Sequence, residues 1–149
     1  MKINIRSATV KDAEKLALLL SQLFMLEKDF QVDNKKQVKA LKLLIEDPNR
    51  GSVFVAEKGN DIIGMVTAQL LVSTAIGGLS VLLEDLFVEK QYRTTGIGLK
   101  LVDALINWGK SKGALRVQLV ADKTNEAALK FYSKTGFDKS RMVGLYKEI

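Results

Sequence analysis

The feature that most constrains the fold is a run in the second half of the chain where an apolar segment leads into two closely spaced glycines. The segment Leu86–Val88 is Leu-Phe-Val, Gly96 and Gly98 follow it, and an amphipathic stretch comes next. The apolar segment predicts a strand, and the helical spacing that follows predicts a helix over 96–112 that ends at Gly113. A strand that passes through a glycine loop into a helix indicates a fold that mixes both kinds of element.

The glycine loop is typical of an anion site. Gly96 and Gly98 let the backbone approach a ligand closely and adopt positive φ angles. The free N–H groups at the helix start carry the positive end of the helix dipole, which suits phosphate or pyrophosphate. It is not a Walker loop, because no Gly-Lys-Ser/Thr follows, and it lacks the third glycine of a Rossmann fingerprint. Taken alone, the motif leaves tight strand–helix packing open as an alternative.

The periodicity elsewhere predicts an alternation of strands and helices. Thr9 with Asp12 resembles a capping box before one helix, Asp33 or Asn34 is placed to cap a second, and Pro48 ends that second helix. The order β-α-α-β-β-β-α-β-α-β predicts one α/β (α+β) domain over 1–149, a mixed sheet with helices on its faces. The predicted strands are 2–8, 52–58, 62–72, 81–88, 115–121 and 141–146.

Composition excludes several kinds of chemistry. The 149 residues include no cysteine and no histidine. That excludes thiol catalysis, Cys/His zinc sites and nucleophilic triads with a histidine base. Acid–base work must therefore fall to Asp, Glu, Tyr, Lys or water.

The net charge of +6 favours anionic partners, but its distribution does not indicate nucleic-acid binding. The densest basic cluster lies on a predicted helix and has no aromatic residues between its lysines, so we expect a solvated helix face and no nucleic-acid partner. The lysines of this cluster are Lys35, Lys36, Lys39 and Lys42.

One uncharged stretch, 62–83, is long enough to span a bilayer. It contains polar residues and the pair Gly77-Gly78, so two buried strands joined by a glycine turn explain it better. The first residues have no apolar leader. We therefore expect a cytoplasmic protein with no membrane partner.

A second run, Asn125 to Phe137, predicts a short helix closed by Gly136, in which Tyr132 is either a core residue or a functional hydroxyl. Two motifs now stand together: Arg93-x-x-Gly96-x-Gly98 and Asn125-x-x-Ala128-x-x-Phe131-Tyr132-x-x-x-Gly136-Phe137. They resemble the GNAT superfamily of acetyl-CoA-dependent N-acetyltransferases, and the resemblance covers the whole chain. It implies a mixed, mostly antiparallel sheet of six to seven strands, flanked by about four helices.

The resemblance also implies acetyl-CoA as cosubstrate and no metal. Backbone groups of Leu86, Phe87 and Val88 would pair with the pantetheine arm, and Asn125 would contact that arm. Thr94 and Thr95 stand where the family often has a glycine and a basic residue, and the Thr95 hydroxyl is available to a phosphate. Lys134 is expected to be a plain surface residue, with a contact to a CoA phosphate as the alternative. The backbone N–H groups expected to hold the pyrophosphate are those of Arg93, Thr94, Thr95, Gly96, Ile97 and Gly98.

By the same resemblance, the chemistry is direct transfer of acetyl to an amine, with Tyr132 as the acid that protonates the leaving thiolate. Glu84 is the candidate base or amine contact, and Asp85 a second substrate-binding acid. Because adjacent strand residues face opposite sides, we expect Glu84 on the side of Leu86 and Val88, and Asp85 on the other, unless a β-bulge in the strand turns Asp85 inward. An ion pair between Glu84 and a lysine is the structural alternative.

The acceptor is expected to be a small-molecule amine. The stretch Glu84–Val88 resembles the diamine/polyamine acetyltransferases, and family members are often homodimers. Two other functions stay open: a non-catalytic module that binds acyl-CoA, and an acetyltransferase of a protein N-terminus or lysine.

Overall fold

A computed structural model describes residues 2–27 and 32–149. The chain divides into two compact units, Met1–Leu119 and Val120–Ile149. The first unit holds all five described strands and three of the α-helices, and the second unit holds the fourth helix. In chain order they are β1 (Ile3–Ser7), α1 (Ala13–Leu26), α2 (Asn34–Glu46), β2 (Gly51–Lys58), β3 (Asp61–Ser73), β4 (Gly78–Val88), α3 (Ile97–Ser111), β5 (Arg116–Leu119) and α4 (Glu126–Lys134).

The strands form one sheet in the order β1-β2-β3-β4-β5. The first four strands are antiparallel neighbours, and β5 joins β4 in parallel after the crossover through α3. Gly59 and Gly77 have φ values of 62° and 72° in the turns that join β2 to β3 and β3 to β4. The predicted mixed, mostly antiparallel sheet is therefore confirmed.

Helices cover both faces of the sheet in this unit. Side chains of α1 and α2 form an apolar core with the strand residues Val53, Val55, Met65 and Phe87. On the other face, α3 lies so close that a Cβ added to Gly109 would be 2.7 Å from Cγ2 of Val81. Glycine is what allows α3 to approach the sheet at this position.

The helix ends follow the signals in the sequence. The backbone N–H of Thr9 donates to Oδ2 of Asp12 at 2.8 Å, and the Asp33 side chain accepts from the backbone N–H of Lys36 at 3.3 Å. Gly113 and Gly136 have φ values of 81° and 95°, just past the ends of α3 and α4. Left-handed glycines end helices in this way, so the predicted caps are confirmed.

Two predictions about the strands are wrong. Residues 141–146 form no strand, and 138–149 contain neither helix nor strand. The described sheet consequently has five strands rather than six to seven, and β5 is shorter than predicted. An apolar run does not by itself supply the hydrogen-bonding neighbour that a strand needs, and Gly144 leaves the middle of this run without a side chain to pack.

The uncharged stretch 62–83 forms most of β3 and the first part of β4, which confirms the predicted pair of strands with a glycine turn. Among the residues that the structure describes, no helix is long and apolar enough to cross a membrane.

Candidate functional site

Within the first unit, the sheet has an open edge along the second half of β4. The parallel pairing with β5 runs from Ser80 with Arg116 to Leu83 with Leu119, where β5 ends. Strand β4 continues to Val88, so on this edge residues 84–88 have no pairing with β5. An exposed strand edge of this kind can accept an extended ligand through backbone hydrogen bonds. The three residues predicted to contact pantetheine lie along it.

A β-bulge interrupts β4 where this open edge begins. Val66 pairs with Leu86 and Ala68 pairs with Leu83, so Thr67 alone stands opposite both Glu84 and Asp85. Two residues on one strand that oppose one on its neighbour define a bulge, which redirects the side chains around it.

The bulge places both acids on the same face of the sheet, so the predicted opposite orientation is wrong and the alternative, a bulge that turns Asp85 inward, is the one that the structure has. Nε2 of Gln69 donates to Oε2 of Glu84 at 2.9 Å, and the Thr67 hydroxyl donates to Oδ2 of Asp85 at 3.0 Å. Thr67 and Gln69 are two residues apart on β3 and therefore share a face. Met65 is on that face too and packs among the side chains of α1 and α2. Glu84 therefore does not share a face with Leu86, because the extra residue shifts the alternation.

Asp85 is the more strongly perturbed of the two acids. It is partly buried, its backbone N–H donates to the Thr67 hydroxyl at 3.1 Å, and its carboxylate accepts from the same hydroxyl. Burial, with smaller contributions from the negative charges of Glu84 and Glu27, raises the pKa of Asp85 from 3.8 to about 7. The Thr67 hydrogen bond opposes this rise. A carboxyl group with a pKa near neutrality is suited to accept a proton at physiological pH.

Glu84 is exposed, at the edge of the same surface. Within residues 2–27 and 32–149, no ion pair joins either acid to a lysine or arginine. The structural alternative for Glu84, a lysine ion pair, is thus not found in the described ranges. Nor does this part of the chain bring three acidic side chains together in a way that could hold a metal ion.

The glycine loop joins β4 to α3 through the short 3-10 turn Lys90–Tyr92. The backbone N–H of Arg93 donates to the Lys90 carbonyl at 3.3 Å. Over the described residues, the N–H groups from Thr94 to Gly98 make no such backbone bond. Gly96, with φ 87°, is the N-cap of α3. Consecutive N–H groups without a backbone partner at a helix start are suited to bind an anion.

The two threonines of the loop make hydrogen bonds within the loop. Thr94 is the one described non-glycine residue with a positive φ, 63°, which is strained for a β-branched side chain. Its hydroxyl donates to the Arg93 carbonyl at 2.6 Å, and that of Thr95 donates to the Tyr92 carbonyl at 2.5 Å. The predicted hydrogen bond from the Thr95 hydroxyl to a phosphate would therefore replace a bond within the loop.

The Arg93 side chain makes contacts with the end of β4 that the sequence did not predict. Its Nε donates to the Val88 carbonyl at 2.8 Å, and its guanidinium lies 5.4 Å from the centre of the Phe87 ring. Arg93 thus fixes the loop to the end of β4. Reasoning also missed Thr67 and Gln69, although a polar pair two residues apart in an apolar strand is a usable signal.

The remaining predicted residues lie in the second unit. Asn125 is the N-cap of α4, and its Oδ1 accepts from the Ala128 N–H at 3.1 Å. The half-buried Tyr132 ring meets the rings of Phe131 and Phe137 edge-on, at centroid distances of 5.3 and 5.6 Å. Tyr132 therefore packs as part of an aromatic cluster. Its role as an acid, and the contact of Asn125 with CoA, stay predictions.

Comparison with known proteins decides the family. A family model described as "Acetyltransferase (GNAT) family" matches residues 19–137. The chain belongs to this family. An uncharacterized N-acetyltransferase of Bacillus subtilis, YhfO, is 27% identical over 140 residues, which are 92% of this chain and 91% of that protein. N-alpha-acetyltransferase 30 of Schizosaccharomyces pombe is 33% identical over 95 residues, 62% of this chain and 61% of that protein.

A solved GNAT structure has the same architecture. The crystal structure of an aminoglycoside acetyltransferase from an uncultured soil metagenomic sample, in complex with trehalose, matches with a TM-score of 0.79 at 26% identity. The match covers 99% of this chain and 96% of that one. By contrast, the chain spans only 41% and 40% of the length of two rat relatives, N-acetyltransferase 8F1 and N-acetyltransferase family 8 member 2, at 31% identity over 90 residues.

Proposed function

We propose that residues 1–149 form one domain that transfers an acetyl group from acetyl-CoA to the primary amine of a small molecule, by direct attack of the amine on the thioester. The observation that carries this proposal is the series of unengaged N–H groups from Thr94 to Gly98, directly after the open edge of β4. The loop is suited to the CoA pyrophosphate, and the strand edge to the extended pantetheine arm.

Different residues of the chain would then carry out different steps of the reaction. The acceptor arrives as an ammonium ion with a pKa near ~10, so a base must remove a proton before attack. Glu84, exposed beside the open edge, is the candidate to bind the ammonium or to take its proton. A backbone N–H on β4 would stabilise the oxyanion, and Tyr132 would protonate the departing thiolate.

The small-molecule acceptor is supported by the aminoglycoside acetyltransferase with the same architecture and by the acid pair, which attracts a cation. A second candidate is a protein N-terminus, which the similarity to the fission-yeast N-alpha-acetyltransferase favours. The homodimer and the cytoplasmic location stay predictions, which sedimentation and cell fractionation would test.

Two measurements test the proposal. First, CoA should raise the melting temperature of the wild type, because a ligand that binds the folded state stabilises it. Gly98→Asp puts a negative charge at the start of α3 and should abolish that shift. A wild type that shows no shift with millimolar CoA would refute the CoA site.

Second, acetyl-CoA consumption should be measured with spermidine, a monoamine of matched length, several amino acids, an aminoglycoside and a peptide with a free N-terminus. Turnover of small amines is the expected result. Turnover of the peptide alone would replace the small-molecule acceptor with a protein N-terminus. A protein that binds CoA and acetylates none of these would be a binding module.

A further inference from the structure

The bulge in β4 gives the chain two acids on one face where an unbulged strand would present one. They differ in their surroundings. Glu84 is exposed and bonded to the Gln69 amide, whereas Asp85 is partly buried and bonded twice to Thr67. Asp85 still has access to solvent, because only Oδ2 is bonded and no fully buried polar side-chain atom of the described residues lacks a partner. Its Oδ1 therefore accepts no hydrogen bond from the described residues and is not fully shielded from solvent.

Asp85 also lies where a ligand would be bound. The pairing of β4 with β5 ends at Leu83, and Asp85 directly precedes Leu86–Val88, the part of the open edge proposed for pantetheine. The bulge and the open edge are separate features of the sheet, and both lie at Glu84 and Asp85. We infer that Asp85, rather than Glu84, is the catalytic base that takes the proton from the acceptor ammonium, and that Glu84 binds and orients the amine. This inference rests on the proposed function.

Acetyl transfer removes two protons from the ammonium nitrogen. Oδ1 of Asp85 accepts one proton from the ammonium nitrogen, and the freed lone pair forms a bond to the thioester carbonyl carbon. The carbon–sulfur bond then breaks, and its electron pair leaves with the sulfur. The second proton lost by the nitrogen balances the one that the thiolate takes up, and Asp85 returns its own proton to solvent. The net result is one amide, one thiol and one released proton.

The surroundings of Asp85 support this assignment over Glu84. Burial raises the pKa of Asp85 to about 7, and the charges of Glu84 on its own strand and Glu27 at the end of α1 raise it as well. Thr67 on β3 is the opposing partner, since its hydroxyl stabilises the carboxylate. A base is most effective when its pKa lies near the working pH. Substitution of Glu84 or Thr67 should therefore change the pH dependence of the activity.

The test is the pH profile of kcat/KM for an acetylated amine, in the wild type and three variants. The wild type should lose activity as the pH falls through about 7. Glu84→Gln removes a negative charge and should move this decline to lower pH, whereas Thr67→Val removes the stabilising hydroxyl and should move it to higher pH. Asp85→Asn should remove the decline and lower kcat/KM by about 10²–10⁴-fold. Asp103→Asn, the same change at an exposed position on α3, is the matched control.

The outcomes separate the two proposals. Opposite displacements in Glu84→Gln and Thr67→Val support Asp85 even if Asp85→Asn does not fold. If Glu84→Gln abolishes the decline while Asp85→Asn keeps it, Glu84 is the base and the assignment of Asp85 is overturned, with the acetyltransferase intact. A wild type that acetylates no amine overturns the proposed function and the role of Asp85 together.

Discussion

The raised pKa of Asp85 has a consequence for stability that can be measured without any substrate. The carboxyl group titrates at 3.8 in the unfolded chain and at about 7 in the folded chain. Between these values the folded state binds more protons than the unfolded state, so the free energy of unfolding falls as the pH rises. The stabilisation linked to Asp85 is therefore fully present below pH 4 and lost as the pH passes through 7.

The size of the effect follows from the two pKa values. For one group with these values, proton linkage gives a loss of about 2.5 kcal/mol in the free energy of unfolding between pH 5 and pH 8. Asp85→Asn cannot ionise, and its amide oxygen can still accept from the Thr67 hydroxyl. When the pH is changed from 5 to 8, the free energy of unfolding of the variant should therefore increase by about 2.5 kcal/mol relative to that of the wild type. This corresponds to about 5–10 °C in melting temperature.

Urea unfolding of the wild type and of Asp85→Asn at pH 5, 6, 7 and 8 measures this difference directly. The other titrating groups are common to both proteins, so they cancel when the variant is compared with the wild type at each pH. Asp103→Asn, the same change at an exposed position on α3, is the matched control. A difference between Asp85→Asn and the wild type that stays constant from pH 5 to pH 8 would refute the reasoning, because it would mean that Asp85 ionises in the folded chain as it does in water.

Three further predictions concern other parts of the chain. The hydrogen bonds from Arg6 lower the pKa of Asp12 from 3.8 to about 2. Asp12→Asn should therefore lower the free energy of unfolding by about 2 kcal/mol at pH 7, and urea unfolding should show this loss becoming smaller as the pH falls from 4 to 2. Thr94→Gly relieves a left-handed threonine and should raise stability by about 0.5–1 kcal/mol in thermal unfolding, while a lower melting temperature would contradict the strain. Tyr132→Phe keeps the ring packing and should lower kcat about 10²-fold with the CoA-induced thermal shift unchanged; an unaltered kcat, with chemistry rate-limiting, would leave Tyr132 as a packing residue.

The elements that the sequence predicts correctly are those specified by short-range chemistry. Asp33 caps α2 with its own side chain, and Gly113 and Gly136 end helices because they adopt positive φ without strain. The turn at Gly77 similarly joins two apolar strands that composition alone does not distinguish from a membrane span. In each case the residues that determine the structure lie within a few positions of one another, so the local sequence contains the necessary information.

The prediction fails where a structure depends on a partner distant in the chain. The mostly apolar run at 141–146 predicts a strand, but whether a strand forms depends on a neighbour that the run itself does not identify. The prediction of the faces on which Glu84 and Asp85 lie is wrong for a related reason. Alternation assigns them to opposite sides, whereas the register between β3 and β4 inserts one extra residue opposite Thr67. The polar residues Thr67 and Gln69 gave the only local indication that these acids have partners.

The bulge connects the cost in stability with the proposed chemistry. Without it, the second acid would point to the other face, where α3 covers the sheet, and only one carboxylate would lie beside the open edge. With it, Asp85 is held against the apolar face under α1 and α2, next to the charge of Glu84, and both effects disfavour the carboxylate. The free energy that the fold loses when Asp85 ionises is the same quantity that increases its affinity for a proton. A substitution that stabilises the sheet at this position by removing the charge should therefore also remove the proposed base, and the stability and activity measurements on Asp85→Asn should change together.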